Sequence, residues 1–446
     1  MNILITNISL ADAEKKPDTE TYTCHIEGDI IKDYFKTSPE KERDIIRKSG
    51  DSIHIIDGNR QILMPGFIDM HAHFREPGFL EKEEIFTGLK AAVKGGYTTV
   101  VLMPNTKPVI SSLEAAKSNM EKAAFFMDGC GPTVFQSLSI TKNFDGETIS
   151  HLENLDKKLI PLVTEDGKEV ASSLVMFRAM EKCAKSGILV SCHSEDPEMA
   201  KEGNIWRKKG LRGEIPMEEA LKKAEFFLHC AEDLASTRNL YLAGKADARV
   251  HLAHVSTKES ISALAMAKKE RPGMVSGEAT PHHLCLNSSC NEFVNPPLRS
   301  EENRLALIEA LKDGTIDAIA TDHAPHTPKD KAEGAPGFSG IETAFQACYT
   351  ELVESGKYGI DLSLLSQKFS LAPAKLLGLE KTGLIKEGWQ ADLVLFDRET
   401  PVKVNPDSFL SKGKYSPLAG KTLKGKITAV IKKGRLIFQE NQKELT

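Results

Sequence analysis

The sequence has neither a long apolar run nor an excess of charge of one sign. Its 446 residues contain no apolar stretch of about 18 residues, the length that a membrane-spanning helix needs. The start, Met1–Thr6, lacks the basic and apolar parts of a signal peptide, so we expect a cytoplasmic protein. The net charge is −5, which gives no reason to expect nucleic acid or an anionic membrane as a partner.

Cysteine pairs, repeats and glycine-rich turns are also missing. The eight cysteines are scattered without a CxxC pair, so we expect no disulfide framework in a chain of this length. Cys192 stands beside His193, which leaves a catalytic thiol open as an alternative. With 40% hydrophobic and 27% charged residues, the composition is that of an ordinary soluble globular protein.

The middle of the chain alternates apolar, strand-like runs with helical stretches such as the one from Ser112 to Met127. The runs that we predict as strands lie near residues 66–69, 98–103, 133–136, 160–163, 188–191, 249–252, 274–276 and 318–321. Nearly continuous apolar strands that alternate with helices indicate a parallel sheet covered on both faces. Eight such units predict an α/β fold of the (β/α)8 TIM-barrel type. An open doubly wound sheet is the alternative, but it usually has a glycine-rich turn after a strand, and none is present.

Both ends of the chain are instead rich in short strands. The predicted strands there cover residues 3–5, 21–26, 53–56, 393–396, 427–431 and 436–438. Charged turns separate the first of them, and we predict one such turn at Lys41–Asp44.

Metal-binding residue types follow the predicted barrel strands. His71 and His73 alternate at the end of the first strand, and two imidazoles on one face of a strand can chelate one metal ion. By itself this pair could equally be two ordinary histidines. The other strand ends carry Asn105, Asp166, His193, His254 and Asp322. Catalytic groups of a TIM barrel gather at that end, and four histidines with two carboxylates suit a pair of divalent ions.

Several motifs resemble those of the dihydroorotases, in the longer bacterial class within the amidohydrolase superfamily. The motifs are Asp69–Pro77, Met103–Thr106, His254–Thr257, Asn295–Arg299, Ala320–His326 followed by Lys331, and Gly383–Gly388. The resemblance covers nearly the whole chain. It implies a cyclic amidohydrolase that interconverts dihydroorotate and N-carbamoyl-L-aspartate in de novo pyrimidine biosynthesis.

The resemblance also implies a set of metal ligands, with zinc, two ions per chain, as the expected cofactor. His71, His73 and Asp322 would hold one ion, His193 and His254 the other, and Asp166 would bridge them. Asp322 would also be catalytic, accepting a proton from the nucleophile and passing it to the leaving nitrogen. Glu165 precedes Asp166 where an aspartate is common in the family. We predict Asp166 as the bridge and Glu165 as a solvated loop charge.

The implied substrate carries one carboxylate, and its expected partners are cations and hydrogen-bond donors. Arg75 would dominate carboxylate binding, with Asn105 and His326, while Asn295 would bond the ring amide. His73 is also assigned to the substrate site, and backbone groups around Pro336 and Gly337 would close it. Five of the remaining histidines are predicted to be structural: His25, His54, His151, His229 and His251. His282 and His283 are predicted to pack in a loop or to support the ligands.

The resulting interpretation divides the chain into three segments. Residues 63–382 would form the barrel, and residues 1–62 and 383–446 would join as a small β-sandwich beside it. An allantoinase or hydantoinase is the rival enzyme; such relatives use a carboxylated lysine, and Lys168 is near Asp166. The rival outside enzymology is a non-catalytic scaffold for aspartate transcarbamoylase. We expect a homo-oligomer, and association with aspartate transcarbamoylase is an open possibility for the active enzyme as well.

Overall fold

The computed structural model describes residues 2–440, so Met1 and 441–446 of the predicted terminal segments lie outside the described residues. The strands are β1 Asn2–Leu10, β2 Tyr22–Glu27, β3 Ile30–Lys36, β4 Ile53–Asp57, β5 Ile62–Pro65, β6 Phe67–Ala72, β7 Tyr97–Leu102, β8 Thr133–Gln136, β9 Leu162–Thr164, β10 Leu189–Cys192, β11 Val250–Leu252, β12 Val275–Ala279, β13 Ala318–Ile319, β14 Leu393–Lys403, β15 Thr422–Lys432 and β16 Arg435–Gln439. Within residues 2–440, no helix is both long and apolar enough to cross a membrane.

Helices connect most of the central strands and cover their outer face. They are α1 Pro39–Ser49, α2 Ile85–Lys94, α3 Leu113–Ala124, α4 Ser173–Ser186, α5 Pro197–Leu211, α6 Met217–Ala246, α7 Lys258–Glu270, α8 Pro281–Cys285, α9 Glu301–Asp313, α10 Pro328–Ala332, α11 Ala344–Cys348, α12 Leu362–Ser366 and α13 Ala372–Leu377. Two π-helical turns, Tyr349–Glu354 and Gln367–Leu371, continue α11 and α12.

The central strands build an α/β domain of the TIM type. Every predicted barrel strand is present as one of β6–β13, and all pairings among them are parallel. They form one sheet in the order β6-β7-β8 and another in the order β13-β12-β11-β10-β9. Isolated parallel bridges, Ala72 to His323 and Leu138 to Val163, link the two sheets at both seams. Spatial neighbours are thus sequence neighbours, which is the order of a barrel and not of a doubly wound sheet.

The two ends of the chain share one sheet. Its order is β16-β15-β14-β5-β1-β2-β3, and β4 pairs in parallel with Asn2–Thr6 of β1, outside this path. Apolar side chains from both ends form its core, including Ile5, Ile26 and Leu393. β5 pairs with β1 and β14, so Ile62–Pro65 belongs to this sheet rather than to the barrel strands. The division at residue 62 and the sandwich form of this unit stay predictions.

The charged segment Lys41–Asp44 was predicted as a turn, and that prediction is wrong. These residues lie inside helix α1, which begins at Pro39. The Ser38 side chain accepts a hydrogen bond from the Lys41 N–H, proline occupies the first turn, and Glu40 faces the positive end of the helix dipole. Serine, proline and glutamate in succession were therefore the start signal of a solvent-facing helix.

Candidate active site

The carboxyl ends of the barrel strands bring the six predicted metal ligands into one cluster. Two groups of side chains have ligand atoms that all lie within 4.8 Å of one another, and Asp166 belongs to both groups. The first group is His71, His73 and Asp166, and the second is Asp166, His193 and His254. All five residues are buried. Each group could hold a divalent cation, and the Asp166 carboxylate is common to both groups.

Asp166 lies at the centre of four imidazoles. Its Oδ1 is 3.1 Å from His71 Nε2, 3.3 Å from His193 Nδ1 and 4.0 Å from His254 Nε2. Its Oδ2 is 3.4 Å from His73 Nε2 and accepts a hydrogen bond from the Asn105 amide at 3.2 Å. Oδ1 thus faces imidazoles of both groups, and Oδ2 faces His73 of the first group.

Asp322 completes the predicted set from the segment after β13, which lies next to the end of β6. Its Oδ1 is 3.0 Å from His73 Nε2 and 3.7 Å from His71 Nε2. The backbone of Asp322 has φ +47°, and His254 and Arg75 also have positive φ values of +34° and +21°. Non-glycine residues adopt this region at a cost, and such strain gathers where side chains must be aimed at a functional site.

The charges of the cluster are strongly coupled. Burial opposes protonation of His71 and His193, but Asp166 raises the pKa of both, to about 10 for His193. Burial would raise the pKa of Asp166, yet His71 and His73 hold it well below its usual range. Burial, followed by the charge of His193, lowers the pKa of His254 to about 3. A divalent cation bound among these imidazoles would be stabilised by the negative charge of the carboxylate.

The surroundings of one ring nitrogen support a metal at this place. Within residues 2–440, the buried His71 Nε2 forms no hydrogen bond, although Asp166 Oδ1 lies 3.1 Å away, while His71 Nδ1 lies 2.8 Å from Glu278 Oε1. Buried polar atoms without partners are rare in folded proteins, and a cation would be the missing partner. The donor set therefore fits divalent metal ions, with imidazole and carboxylate ligands of the kind that zinc takes.

Glu165 does not lie in the cluster, and its predicted character as a solvated charge is wrong. The side chain is buried and accepts hydrogen bonds from the backbone N–H of Thr141, at 2.8 Å, and from the Thr141 hydroxyl. Burial raises its pKa to about 7. Glu165 therefore anchors the loop that carries Asp166 to the segment after β8.

Two carboxylates that support the predicted ligands, Asp69 and Glu278, were not predicted from the sequence. Asp69 accepts hydrogen bonds from the backbone N–H groups of His71 and Thr321, which ties the end of β6 to the end of β13. Glu278 contacts His71 Nδ1 with one oxygen and His251 Nε2, at 3.1 Å, with the other. The signal for Glu278 was a single carboxylate inside the otherwise apolar or small strand Val275–Ala279.

Glu278→Gln is expected to weaken zinc binding about 10-fold to 100-fold, because the carboxylate fixes the tautomer and raises the basicity of His71. Competition with a chromophoric chelator measures this affinity. The matched control is Glu342→Gln, a buried carboxylate that accepts hydrogen bonds from the backbone of Leu410 and Ser411. Equal zinc affinity in Glu278→Gln and Glu342→Gln would contradict the supporting role of Glu278.

A cleft of about 630 Å³ opens onto the cluster, and every predicted substrate residue borders it. These residues are His73, Arg75, Asn105, Asn295, His326, Pro336 and Gly337. The cleft is also lined by the ligands Asp166, His193, His254 and Asp322. Metal ligands and the candidate substrate groups thus share one concave site.

Arg75 brings an unpaired positive charge to this cleft. Its Nε donates to the Pro325 carbonyl at 3.3 Å, and one terminal nitrogen lies 3.5 Å from His326 Nε2. Among the residues that the structure describes, no carboxylate forms an ion pair with Arg75. Burial lowers the pKa of this guanidinium, although the charges of Asp322 and Asp166 oppose the shift. A half-buried guanidinium without a protein counter-ion suits an anionic ligand group.

Asn105 and His326 are engaged with the protein itself. Asn105 Oδ1 lies 2.9 Å from His73 Nδ1, and its amide nitrogen donates to Asp166. His326 Nε2 lies 2.8 Å from the Pro336 carbonyl oxygen. The carboxylate-binding roles of these two residues stay predictions.

Lys331 anchors the predicted cover at Pro336 and Gly337. Its ammonium group donates to the carbonyls of Ala335 and Gly337, at 3.0 and 2.9 Å, and pairs with Glu292 at 3.0 Å. Gly337 has φ +109°, and a Cβ there would approach the Ala324 Cβ to 2.7 Å. Glycine therefore permits the close packing of this loop on the segment after Asp322.

The remaining candidates lie outside the cluster. Lys168 is exposed, and its ammonium group lies over the ring of Phe144, 5.7 Å from the centroid. His323 Nδ1 accepts from the Gly340 N–H, and His283 packs against Thr280. Cys192 is fully buried, and burial raises its pKa well above the ordinary value, which does not favour a reactive thiol.

Comparison with known proteins gives the class of this chain. The sequence profile of the amidohydrolase family matches residues 62–437. The chain also aligns at 37% identity with a dihydroorotase of Clostridium botulinum (strain Eklund 17B / Type B), over 99% of this chain and 100% of that protein. A dihydroorotase of Elusimicrobium minutum (strain Pei191) is 40% identical, over 86% of this chain and 87% of the relative.

The chain therefore belongs to the amidohydrolase family. Within that family it belongs to the dihydroorotases, which confirms the resemblance seen in the motifs. A dihydropyrimidinase from Brevibacillus agri NCHU1002 shares the fold, with a TM-score of 0.82, 24% identity and coverage of 99% of this chain and 96% of that one. An L-hydantoinase from Arthrobacter aurescens is similar to the same extent, with a TM-score of 0.81, 21% identity, and the same coverage of 99% and 96%.

Proposed function

We propose that the chain is a dihydroorotase, a cyclic amidohydrolase that interconverts dihydroorotate and N-carbamoyl-L-aspartate in pyrimidine biosynthesis. The observation that carries this proposal is the unpaired Arg75 guanidinium, which borders the same cleft as the carboxylate-centred imidazole cluster. The first group suits a substrate carboxylate, and the second suits the metal ions of an amide hydrolase. The alignment with dihydroorotases over the full length supports the same substrate.

We assign two zinc ions to the cluster, one held by His71, His73 and Asp322 and the other by His193 and His254. Asp166 would bridge them, since its two oxygens face imidazoles of both groups. When bound, the ions supply an ionised nucleophile at neutral pH and a Lewis acid for the scissile carbonyl. Glu278 orients His71, and Asn105 holds His73 and Asp166 in register.

Asp322 is the proton carrier of the proposed reaction. It borders the cleft, and its carboxylate would accept a proton from the attacking water and deliver it to the leaving ring nitrogen. Burial favours its neutral form, but the hydrogen bond with His73 and the charge of His71 hold the pKa of Asp322 below its usual range. The group is therefore ionised at neutral pH and ready to act as the base. In the cyclising direction it would take the proton from the carbamoyl nitrogen.

Activity assays in both directions test the proposal. Purified protein with zinc restored is expected to hydrolyse dihydroorotate and to cyclise N-carbamoyl-L-aspartate, with hydantoin and allantoin as poor substrates. A preference for hydantoin or allantoin would favour the rival enzyme. Zinc-loaded protein that is inert on all four compounds would favour the scaffold.

Arg75→Met is expected to raise KM for dihydroorotate about 100-fold with a small change in kcat, because it leaves the substrate carboxylate without its charged partner. Steady-state kinetics measure the effect. Arg212→Met is the matched control, since Arg212 lies on the surface beside Glu214. A KM equal to that of the control would contradict the carboxylate role of Arg75.

The finer points of organisation are also proposals. We propose that the sheet shared by both ends is a separate β-sandwich unit, with its boundary to the barrel between β5 and β6. This boundary is supported by the pairing of Ile62–Pro65 with β1 and β14. We further propose a homo-oligomer, which sedimentation of the purified protein tests, and association with aspartate transcarbamoylase, which co-sedimentation of the two proteins tests.

A further inference from the structure

We propose that Arg207 fixes the orientation of the Asn295 side-chain amide, so that Asn295 presents its NH2 group to the substrate and selects a carbonyl oxygen there. Arg207 is thus a positioning residue for substrate specificity. This inference rests on the proposed function, in which the cleft bordered by Asn295 is the dihydroorotate site.

Arg207 reaches Asn295 from behind the cleft. It lies on helix α5, which follows the strand that leads to His193. One terminal nitrogen donates to Asn295 Oδ1 at 2.6 Å, and the other donates to the Val294 carbonyl at 3.0 Å. The guanidinium carbon lies 5.5 Å from the centroid of the Phe293 ring, and only 5% of the residue is exposed. The Arg207 side chain is therefore held at three successive residues of one segment.

The chemistry of arginine fixes which end of the amide faces it. A guanidinium has five N–H donors and no acceptor, so the Asn295 atom beside it must be the carbonyl oxygen. Asn295 borders the substrate cleft, whereas Arg207 does not; it borders a separate cavity that lies against α6. Within residues 2–440, the Asn295 NH2 group has no hydrogen-bond acceptor in the protein. Its donors are therefore available to the cleft.

Burying the Arg207 guanidinium without an ion pair costs free energy, which is consistent with a functional role for its contact with Asn295. Among the residues that the structure describes, no carboxylate forms an ion pair with Arg207, and its Nε is buried without a hydrogen-bond partner. Burial lowers its pKa to about 10, which still leaves the group charged at neutral pH. A charged donor gives a stronger hydrogen bond than a neutral one and so holds the amide in one orientation.

The consequence concerns which part of the substrate ring meets Asn295. The ring of a cyclic ureide offers both N–H donors and carbonyl acceptors. An amide that rotates freely could serve either group, but an amide held by Arg207 serves only an acceptor. Asn295 therefore bonds a ring carbonyl oxygen and disfavours a ligand that places an N–H at that point.

Asn295→Asp is the decisive variant. It replaces the NH2 donors that face the cleft with an acceptor oxygen, and it keeps a hydrogen-bond acceptor for Arg207. One carboxylate oxygen would pair with the guanidinium, and the other would present an acceptor to the substrate carbonyl. KM for dihydroorotate is expected to rise at least about 30-fold, with kcat changed less than about threefold. Zinc content and melting temperature serve as controls. If KM in Asn295→Asp equals that of the unchanged protein, Asn295 accepts from a ring N–H and the proposal is wrong.

Arg207 itself is tested by a pair of variants. Arg207→Met releases the amide and is expected to raise KM about tenfold, whereas Arg207→Lys, which also only donates, is expected to recover part of that loss. Equal KM values in Arg207→Met and the unchanged protein would overturn the positioning role. A loss that Arg207→Lys does not reduce would assign the effect to packing and would overturn it as well.

A spectroscopic measurement separates this inference from the proposed function. In protein labelled with 15N-asparagine, the Asn295 NH2 signals are identified by their absence in Asn295→Asp. Restricted motion of the Asn295 side chain about χ2, measured by 15N relaxation of its NH2 group, is expected in the unchanged protein and greater motion in Arg207→Met. This readout needs no turnover, so inactivity on dihydroorotate would refute the proposed function alone, and equal side-chain motion in both proteins would refute the role of Arg207.

Discussion

Asp166→Ala is expected to remove at least one zinc ion per chain and to lower kcat/KM by about 10⁴-fold or more. Among the residues that the structure describes, Asp166 is the one carboxylate within 4 Å of imidazoles of both ligand groups, with Oδ1 3.1 Å from His71 Nε2 and 3.3 Å from His193 Nδ1. Without it, neither ion keeps a full ligand set. Elemental analysis of the purified protein, together with steady-state assays, measures both effects.

Glu165→Ala is the matched control for this variant. The two carboxylates are neighbours in sequence and equally buried, but Glu165 is bound to Thr141 and lies outside the cluster. Glu165→Ala is expected to lower stability and to keep the zinc content of the unchanged protein. Two zinc ions per chain in Asp166→Ala would show that Asp166 is not the bridge.

Asp322→Asn is expected to lower kcat about 10³-fold while KM for dihydroorotate changes little, because an amide cannot carry the proton from the nucleophile to the leaving nitrogen. The shape of the side chain is kept, and its oxygen can still face His73. Assays at saturating zinc, with the bound metal measured in parallel, separate loss of the base from loss of an ion.

Asp330→Asn is the control for this effect. Asp330 does not line the cleft; it contacts Thr327 and Lys82, and one of its oxygens lies 3.9 Å from His326 Nδ1. It is expected to keep nearly full kcat. Activity of Asp322→Asn within tenfold of this control, with zinc fully bound, would mean that another group moves the proton.

The barrel strands could be predicted because each is a short, continuous apolar run whose burial does not depend on a distant partner. Helix α1, where we predicted a charged turn, has no buried residue, so it carries none of the apolar periodicity by which helices are found. The start of this helix could nevertheless be recognised from its capping residues, Ser38, Pro39 and Glu40. Capping signals thus predict solvent-facing helices better than hydrophobic patterns do.

The clustering of the six proposed ligands could be predicted because each lies at or after a strand end, and a barrel brings all strand ends together. Their assignment as ligands came from the resemblance to dihydroorotases. The supporting residues could not be predicted in this way, since their roles depend on neighbours far along the chain. Glu278 contacts a histidine 207 residues earlier, and Arg207 contacts an asparagine 88 residues later. Glu165 is buried because it accepts hydrogen bonds from Thr141, and no sequence pattern indicated that these two residues would meet.

The sheet shared by both ends of the chain sets the order in which this protein can be completed during its synthesis. Leu63 in β5 pairs with Leu395 in β14. These strands are roughly 330 residues apart, so a ribosome needs about 20–60 s to make the second after the first. The barrel segment is synthesised in that interval, and the edge of β5 that later pairs with β14 stays without a partner strand. An interrupted nascent chain therefore displays an unpaired strand edge, which can pair wrongly with another chain.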